Sequence, residues 1–170
     1  MVTIVKATTN DAALLADIGR ISFIESHGHS APAADIDAYV AAKYTPTILQ
    51  QELSDPGNIY HILYHGQQAA GYSKIILHSP HPGMQQNITK LERIYLLKEF
   101  YQLKLGYQLL QFNIDLSKKN NQAGMWLYVW KENHRAVNFY IKAGFQIIGS
   151  YDFKLSETHS NPNHRMLLLY

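Results

Sequence analysis

The chain contains no cysteine in its 170 residues, which excludes disulfides, thiolate metal ligands and a cysteine nucleophile and leaves the fold to stand on its apolar core. Charge is scarce too. The formal net charge is +2, and no dense lysine and arginine cluster with interleaved aromatics occurs, so nucleic acid is not an expected partner. Lys118-Lys119 is a basic pair at an expected helix end, where cations suit the helix dipole. No stretch approaches the roughly 18 apolar residues of a spanning helix. The segment Met1 to Lys6 reads as strand rather than as a basic start followed by a long apolar run. Neither a membrane nor a signal peptide is therefore expected, and a cytoplasmic location is the default. A Gly-x-x-x-x-Gly-Lys-Ser/Thr loop is also missing, which argues against a phosphate-loop nucleotide enzyme.

What is present is a packed α/β sequence, 46% apolar and of a length suited to one domain over residues 1–170. Val2 to Thr8 alternates as a strand. Leu14, Leu15, Ile18, Ile21 and Phe23 then recur at helical spacing behind Asn10-Asp11, until Ser26 to Pro32 breaks the pattern. Short helices are predicted over Asp35 to Tyr44 and Thr47 to Leu53, followed by a hairpin of Asn58 to Tyr64 and Gln68 to His78. The second half reads strand Leu91 to Leu97, a helix striped by Leu105, Leu109, Phe112 and Leu116, strand Gly124 to Trp130, helix Asn133 to Ala143 and strand Phe145 to Tyr151. Asn161-Pro162-Asn163 is read as a turn into a last strand, His164 to Tyr170. This order predicts a mixed, mostly antiparallel sheet flanked by helices.

A strand that turns tightly into an amphipathic helix, as from Leu91 to Leu116, is a general device for holding phosphate, because the free N–H groups of the first helical turn face outward. In the strand itself, Glu92, Ile94 and Leu96 alternate with Leu91, Arg93, Tyr95 and Leu97. If the Glu92 face is buried, its carboxylate is desolvated and becomes a better base toward an ammonium. The competing reading is a Glu92 paired with a neighbouring Arg or Lys on a partly exposed strand. His27 and His29, with Glu25 beside them, form a polar turn short of the three or four converging ligands a metal needs, so no metal is expected. Glu25, Asp35, Asp37 and Glu52 are acidic candidates for holding a polyamine, or solvated surface carboxylates. Tyr39, Tyr44, Tyr72, Tyr128 and Tyr151 either line an amine pocket or fill sheet faces.

The run Leu91-Glu92-Arg93-Ile94-Tyr95-Leu96-Leu97, the segment Leu105 to Leu110 and the block Asn133 to Phe145 together resemble the GNAT superfamily of acyl-CoA-dependent N-acyltransferases, most similarly its bacterial spermidine/spermine branch. The resemblance implies a GNAT-like sheet, acetyl-CoA as co-substrate and direct transfer to a primary amine, whether a polyamine, another small amine or a protein amino terminus. It implies that Tyr140 protonates the departing thiolate and that Glu92 or a water it orients deprotonates the amine. Cofactor contacts are implied at Ile94, Tyr95 and Leu96 through their backbone, at the loop Gln102, Leu103, Lys104, Leu105, Gly106 and Tyr107, and at Asn133, Tyr140 and Lys142. Asn133 also reads as a helix N-cap and Tyr140 as a half-buried core residue. The loop departs from the family pattern: Tyr101 stands at the Arg or Gln position and Lys104 at the first glycine, and only Gly106 matches. Lys104 is compatible with the loop provided its φ is negative. That departure motivates an alternative, a non-catalytic GNAT-like binding or sensor module. A homodimer through edge strands near the carboxyl terminus is left open.

Overall fold

The computed structural model describes residues 1–170. Seven strands form one sheet in the order β1-β2-β3-β4-β5-β7-β6, with β1 at Val2–Lys6, β2 at Ile59–His65, β3 at Gln68–Ile76, β4 at Ile88–Leu96, β5 at Gly124–Trp130, β6 at Gln146–Lys154 and β7 at Ser160–Leu169. All neighbours pair antiparallel except β4 and β5. Helices α1 (Ala12–His27), α2 (Ala33–Lys43) and α3 (Pro46–Ser54) precede the second strand, while α4 (Leu105–Lys119) and α5 (His134–Lys142) follow β4 and β5.

The two sheet faces bury different cores. Leu15, Ala16 and Ile18 of α1 and Leu49 of α3 pack on Tyr60, Ile62 and Tyr72, so the front helices cover the β2–β3 hairpin. On the opposite face Leu110 and Ile114 of α4 and Val137 and Tyr140 of α5 pack on Ile75, Leu91, Met125, Leu127 and Met166. Met125, Leu127 and Val129 alternate in β5 and all join this second core, which is the period-two burial expected of a strand. No helix is long and apolar enough to cross a membrane.

Two local signals fix α5. The Asn133 side chain accepts a hydrogen bond from the Ala136 backbone N–H at 3.2 Å and caps the helix. At the other end Phe145 N–H reaches Tyr140 C=O and Gly144 N–H reaches Ile141 C=O, each at 3.0 Å, the paired bonds of a Schellman ending. Gly144 takes φ +102 there, a conformation that glycine adopts without a Cβ penalty.

Three expectations are corrected. Asn161-Pro162-Asn163 is not a turn: it lies inside β7, and the chain reverses over Leu155 to His159, where Leu155 N–H bonds His159 C=O at 3.0 Å. Pro162 is tolerated because the β5–β7 ladder ends at the Trp130–Asn163 pair, and beyond it Pro162 only accepts, its C=O taking the Lys131 N–H at 2.9 Å. The approach to α4 is not a simple tight turn either. Lys98–Leu103 forms a 3-10 segment, and Lys104 closes it at φ 57, ψ 19. Lys104 therefore does occupy the left-handed region, at a cost of roughly 1–2 kcal/mol for a residue with a Cβ. The third concerns β4. Lys74 pairs with Arg93 and Ile75 with Leu91, which leaves Glu92 as an extra residue in a β-bulge. Leu91, Ile94 and Leu96 all pack toward α4, and Glu92 does not share their face.

Replacing Lys104 with Gly should raise the unfolding free energy in urea by about 1 kcal/mol, and Lys104→Val should lower it, because a β-branched residue fits this region worst. A loss of stability in the glycine variant would show that Lys104 carries no backbone strain.

Candidate active site

The site begins where two strands separate. The parallel pair β4–β5 runs for three residues only, Ile88 with Gly124, Thr89 with Met125 and Lys90 with Trp126. Beyond it, β4 stays paired with β3 and β5 with β7, so the backbone edge of β4 that would face β5 has no strand partner. A cleft of about 830 Å³ opens between them, floored by α5 and bounded by the N-terminus of α4. It is large enough for an extended ligand.

The predicted residues are partly brought together. Glu92, Ile94, Tyr95, Leu96, Lys104, Gly106, Tyr107, Asn133, Tyr140 and Lys142 all line the cleft. Gln102, Leu103 and Leu105 do not: the first two are exposed on the 3-10 segment, and Leu105 turns into the core with Leu63, Phe100 and Leu109. The 3-10 winding causes this, because it spends those residues on reaching the helix.

Tyr140 is 7% exposed and sits in the cleft wall. Its ring touches Phe145 edge-on at 5.6 Å and Phe139 at 5.3 Å. Phe145 is the contact that accompanies the Schellman ending, so the signal that stops α5 also orients the tyrosine. Burial pushes the hydroxyl above the ordinary phenol value, with Arg135 pulling it back in part. It is fully protonated at neutral pH.

Glu92 is the partner of Lys74, Oε2 to Nζ 3.0 Å, with its side chain 30% exposed. Of the two readings of Glu92, the structure gives the one paired with a neighbouring Lys on a partly exposed strand and not the desolvated one, because the bulge turns Glu92 away from the buried face. Lys74 is itself 5% exposed and also binds Glu52 at 2.9 Å, while Arg93 binds Glu52 at 3.3 Å and the Tyr60 hydroxyl at 2.9 Å. Burial works to raise the Glu52 carboxyl, but Arg93, Tyr60 and Lys74 outweigh it and hold it below the usual range. Two acids and two cations thereby neutralise one another under the cleft.

Of the remaining acidic candidates, Glu25 accepts the Lys98 backbone N–H at 2.7 Å and so ties α1 to the 3-10 segment. Glu25, Asp35, Asp37 and Glu52 do not line the cleft. Tyr39, Tyr44 and Tyr128 do line it, Tyr72 is core, and Tyr151 stacks on Tyr128 at 4.4 Å outside it. His27 also faces the cleft, its Nε2 3.3 Å from the Tyr95 hydroxyl. Burial, then the charge of His29, lowers its pKa to about 4, so it is neutral and unsuited to an anion. No cluster of three or more ligands suits a metal.

Sequence reasoning missed Arg135. Its guanidinium lies 3.8 Å from the centre of the Tyr101 ring, and both residues line the cleft. Lys104 immediately precedes α4, whose first free N–H groups no side chain caps, Arg135 stands on Tyr101 of the segment leading to it, and Lys142 adds a third cation to the cleft lining. This combination suits a diphosphate. The signal was present only as an arginine two residues after Asn133, with nothing local to link it to Tyr101.

Three kinds of relatedness agree with this geometry. The chain is 27% identical over 157 residues to an uncharacterized N-acetyltransferase of Lactobacillus delbrueckii subsp. lactis, covering 92% of this chain and 91% of that one. The fold matches the PaiA N-acetyltransferase of Thermoplasma acidophilum, solved with coenzyme A, at TM-score 0.81 and 22% identity over 100% and 99% of the two chains. It also matches a GNAT-family acetyltransferase of Streptococcus pneumoniae at TM-score 0.71 and 22% identity over the whole of both. The model of the acetyltransferase (GNAT) family fits residues 22–145, which run from the last turns of α1 through α2, α3 and the splayed strands to the end of α5, and the protein therefore belongs to that family of acetyl-CoA-dependent N-acetyltransferases.

Proposed function

We propose that the protein acetylates a primary amine by direct attack, with the acetyl donor threaded between β4 and β5 and Tyr140 as the acid. The observation that carries this reading is the parting of β4 from β5 after Lys90 and Trp126, with Tyr140 on the wall of the opening. Acetyl-CoA supplies a thioester carbonyl and a sulfur leaving group.

The residues divide the work. The unpartnered edge of β4 over Ile94 to Leu96 offers backbone N–H and C=O groups to the amides of the pantetheine arm, and a β4 N–H polarises the reacting carbonyl. The first turn of α4 with Lys104, Arg135 and Lys142 holds the phosphates. Stacking on Tyr101 fixes the Arg135 guanidinium, so the cation lost from the loop is replaced from α5. Glu92, reachable by water, takes the proton of the incoming ammonium directly or through a water, and Lys74 holds its carboxylate in place. Tyr140 donates its hydroxyl proton to the departing sulfur. Burial makes this phenol a weaker acid, but the same dry wall makes the sulfur anion a stronger base.

In this scheme Tyr140→Phe lowers kcat by about 100-fold or more while acetyl-CoA binding is kept. Unchanged turnover would remove Tyr140 from the chemistry. Arg135→Ala should weaken acetyl-CoA about tenfold, the worth of one charge-assisted contact, and leave S-acetyl-pantetheine, which lacks the diphosphate, bound as before. Equal losses for both ligands would place Arg135 outside the phosphate site.

A further inference from the structure

The end of the cleft away from α4 is framed by α1, α2 and the β6–β7 reversal, where Phe23, Tyr44 and Leu155 form one cluster with Tyr39, Tyr95 and Phe153 packed against it. Phe23 stacks on Tyr39 at 4.8 Å, and Tyr39 meets Phe153 edge-on at 6.0 Å. Each of these three rings also lines the cleft, so an acceptor entering here meets aromatic walls.

The charges at this end have one dominant sign. Lys43, next to Tyr44, and Lys154, between Phe153 and Leu155, stand at this end, Lys90 and Arg93 line the same cleft, and Glu92 is the sole carboxylate among the lining residues of the whole cleft. Glu92 is taken by Lys74 and Arg93 by Glu52, while Lys154 is offset by Glu157 at 3.2 Å. Lys43 and Lys90 are left without a carboxylate partner, and Lys90 rests over the Trp126 and Tyr128 rings at 5.3 and 5.8 Å. A second ammonium on the acceptor would find no anion here and would be repelled by these two lysines, whereas an acceptor carboxylate would be drawn to them. Asn163, 7% exposed and also lining the cleft, has its Oδ1 buried without a hydrogen-bond partner. A lone buried acceptor of this kind is costly unless a donor reaches it, and an incoming amine is such a donor.

We infer that the acceptor is a monoamine carrying a carboxylate on an aromatic or large apolar body, of the amino-acid kind, and not a polyamine. This rests on the transferase reading above. The C–N bond forms as the C–S bond breaks. The acceptor ammonium loses one proton through Glu92 to solvent, the sulfur leaves with the proton from Tyr140, and the second nitrogen proton, lost as the amide forms, returns to the Tyr140 phenolate through water, so that one proton is released per turnover.

The test is CoA thiol release by the full chain with three probes: L-phenylalanine, 2-phenylethylamine and spermidine. The expected order of kcat/KM is phenylalanine first, 2-phenylethylamine about fivefold lower for want of one lysine contact, and spermidine lower again by about tenfold or more. Lys43→Ala should shrink the phenylalanine to 2-phenylethylamine ratio toward one. Spermidine equal to or better than phenylalanine overturns the inference, as does a ratio of one in the unaltered protein. No release with any probe, while acetyl-CoA still raises the Tm, likewise counts against this acceptor and leaves the cofactor site standing. Absence of any acetyl-CoA effect on the Tm would instead strike the transferase reading itself.

Discussion

Everything at the site depends on β4 parting from β5 after three residue pairs. A bulge at Glu92 bends β4 at the point of parting, because one extra residue shortens and twists the ladder on one side. Had the pairing continued, the β4 backbone would have spent its hydrogen bonds on β5 and closed the sheet. The parting leaves those groups unpaired in a wall where only a ligand or water can satisfy them. It also fixes what each residue faces: Leu91, Ile94 and Leu96 anchor the strand on α4, while Glu92 and Arg93 turn toward the front helices.

The polar layer beneath the cleft is the second consequence. Glu52, Lys74, Glu92 and Arg93 come from α3, β3 and β4 and form a balanced cluster. Such clusters add little net stability, since desolvation of each charge offsets most of the attraction, but removing one member leaves the rest uncompensated. Their value here is positional. Glu92 is pinned by Lys74 in reach of the cleft, and Glu52, which composition suggested as a substrate contact, is committed to the scaffold.

What was legible in the sequence was what the chain writes locally. The block from Asn133 to Phe145 carries its N-cap, its spacing and its glycine stop within thirteen consecutive positions, so helix, ending and tyrosine could all be read. The order of strands and helices followed from periodicity in the same way. Glu92 could not be placed, because a bulge is a property of two strands and depends on the register of β3. The sign of φ at Lys104 could not be read from the sequence, because its left-handed geometry follows from a 3-10 segment whose residues show no distinctive pattern. Tyr101 looked like a defect because its partner, Arg135, lies on another helix. Pro162 was read as a turn because its tolerance depends on where β5 ends. The front helices gave shape without chemistry, and their tyrosines acquire a meaning only when they meet Phe153 and the lysines across the cleft.

The proposed acetyl-CoA cleft must hold its ligand although its loop has Tyr101 and Lys104 where the family carries Arg or Gln and glycine. Isothermal titration of the full chain with acetyl-CoA tests it most directly. We expect one site per chain with a Kd on the order of micromolar, about −8 kcal/mol, and an affinity that falls as salt rises because phosphates meet Lys104, Arg135 and Lys142. No heat at high micromolar cofactor, or an affinity indifferent to salt, would contradict it.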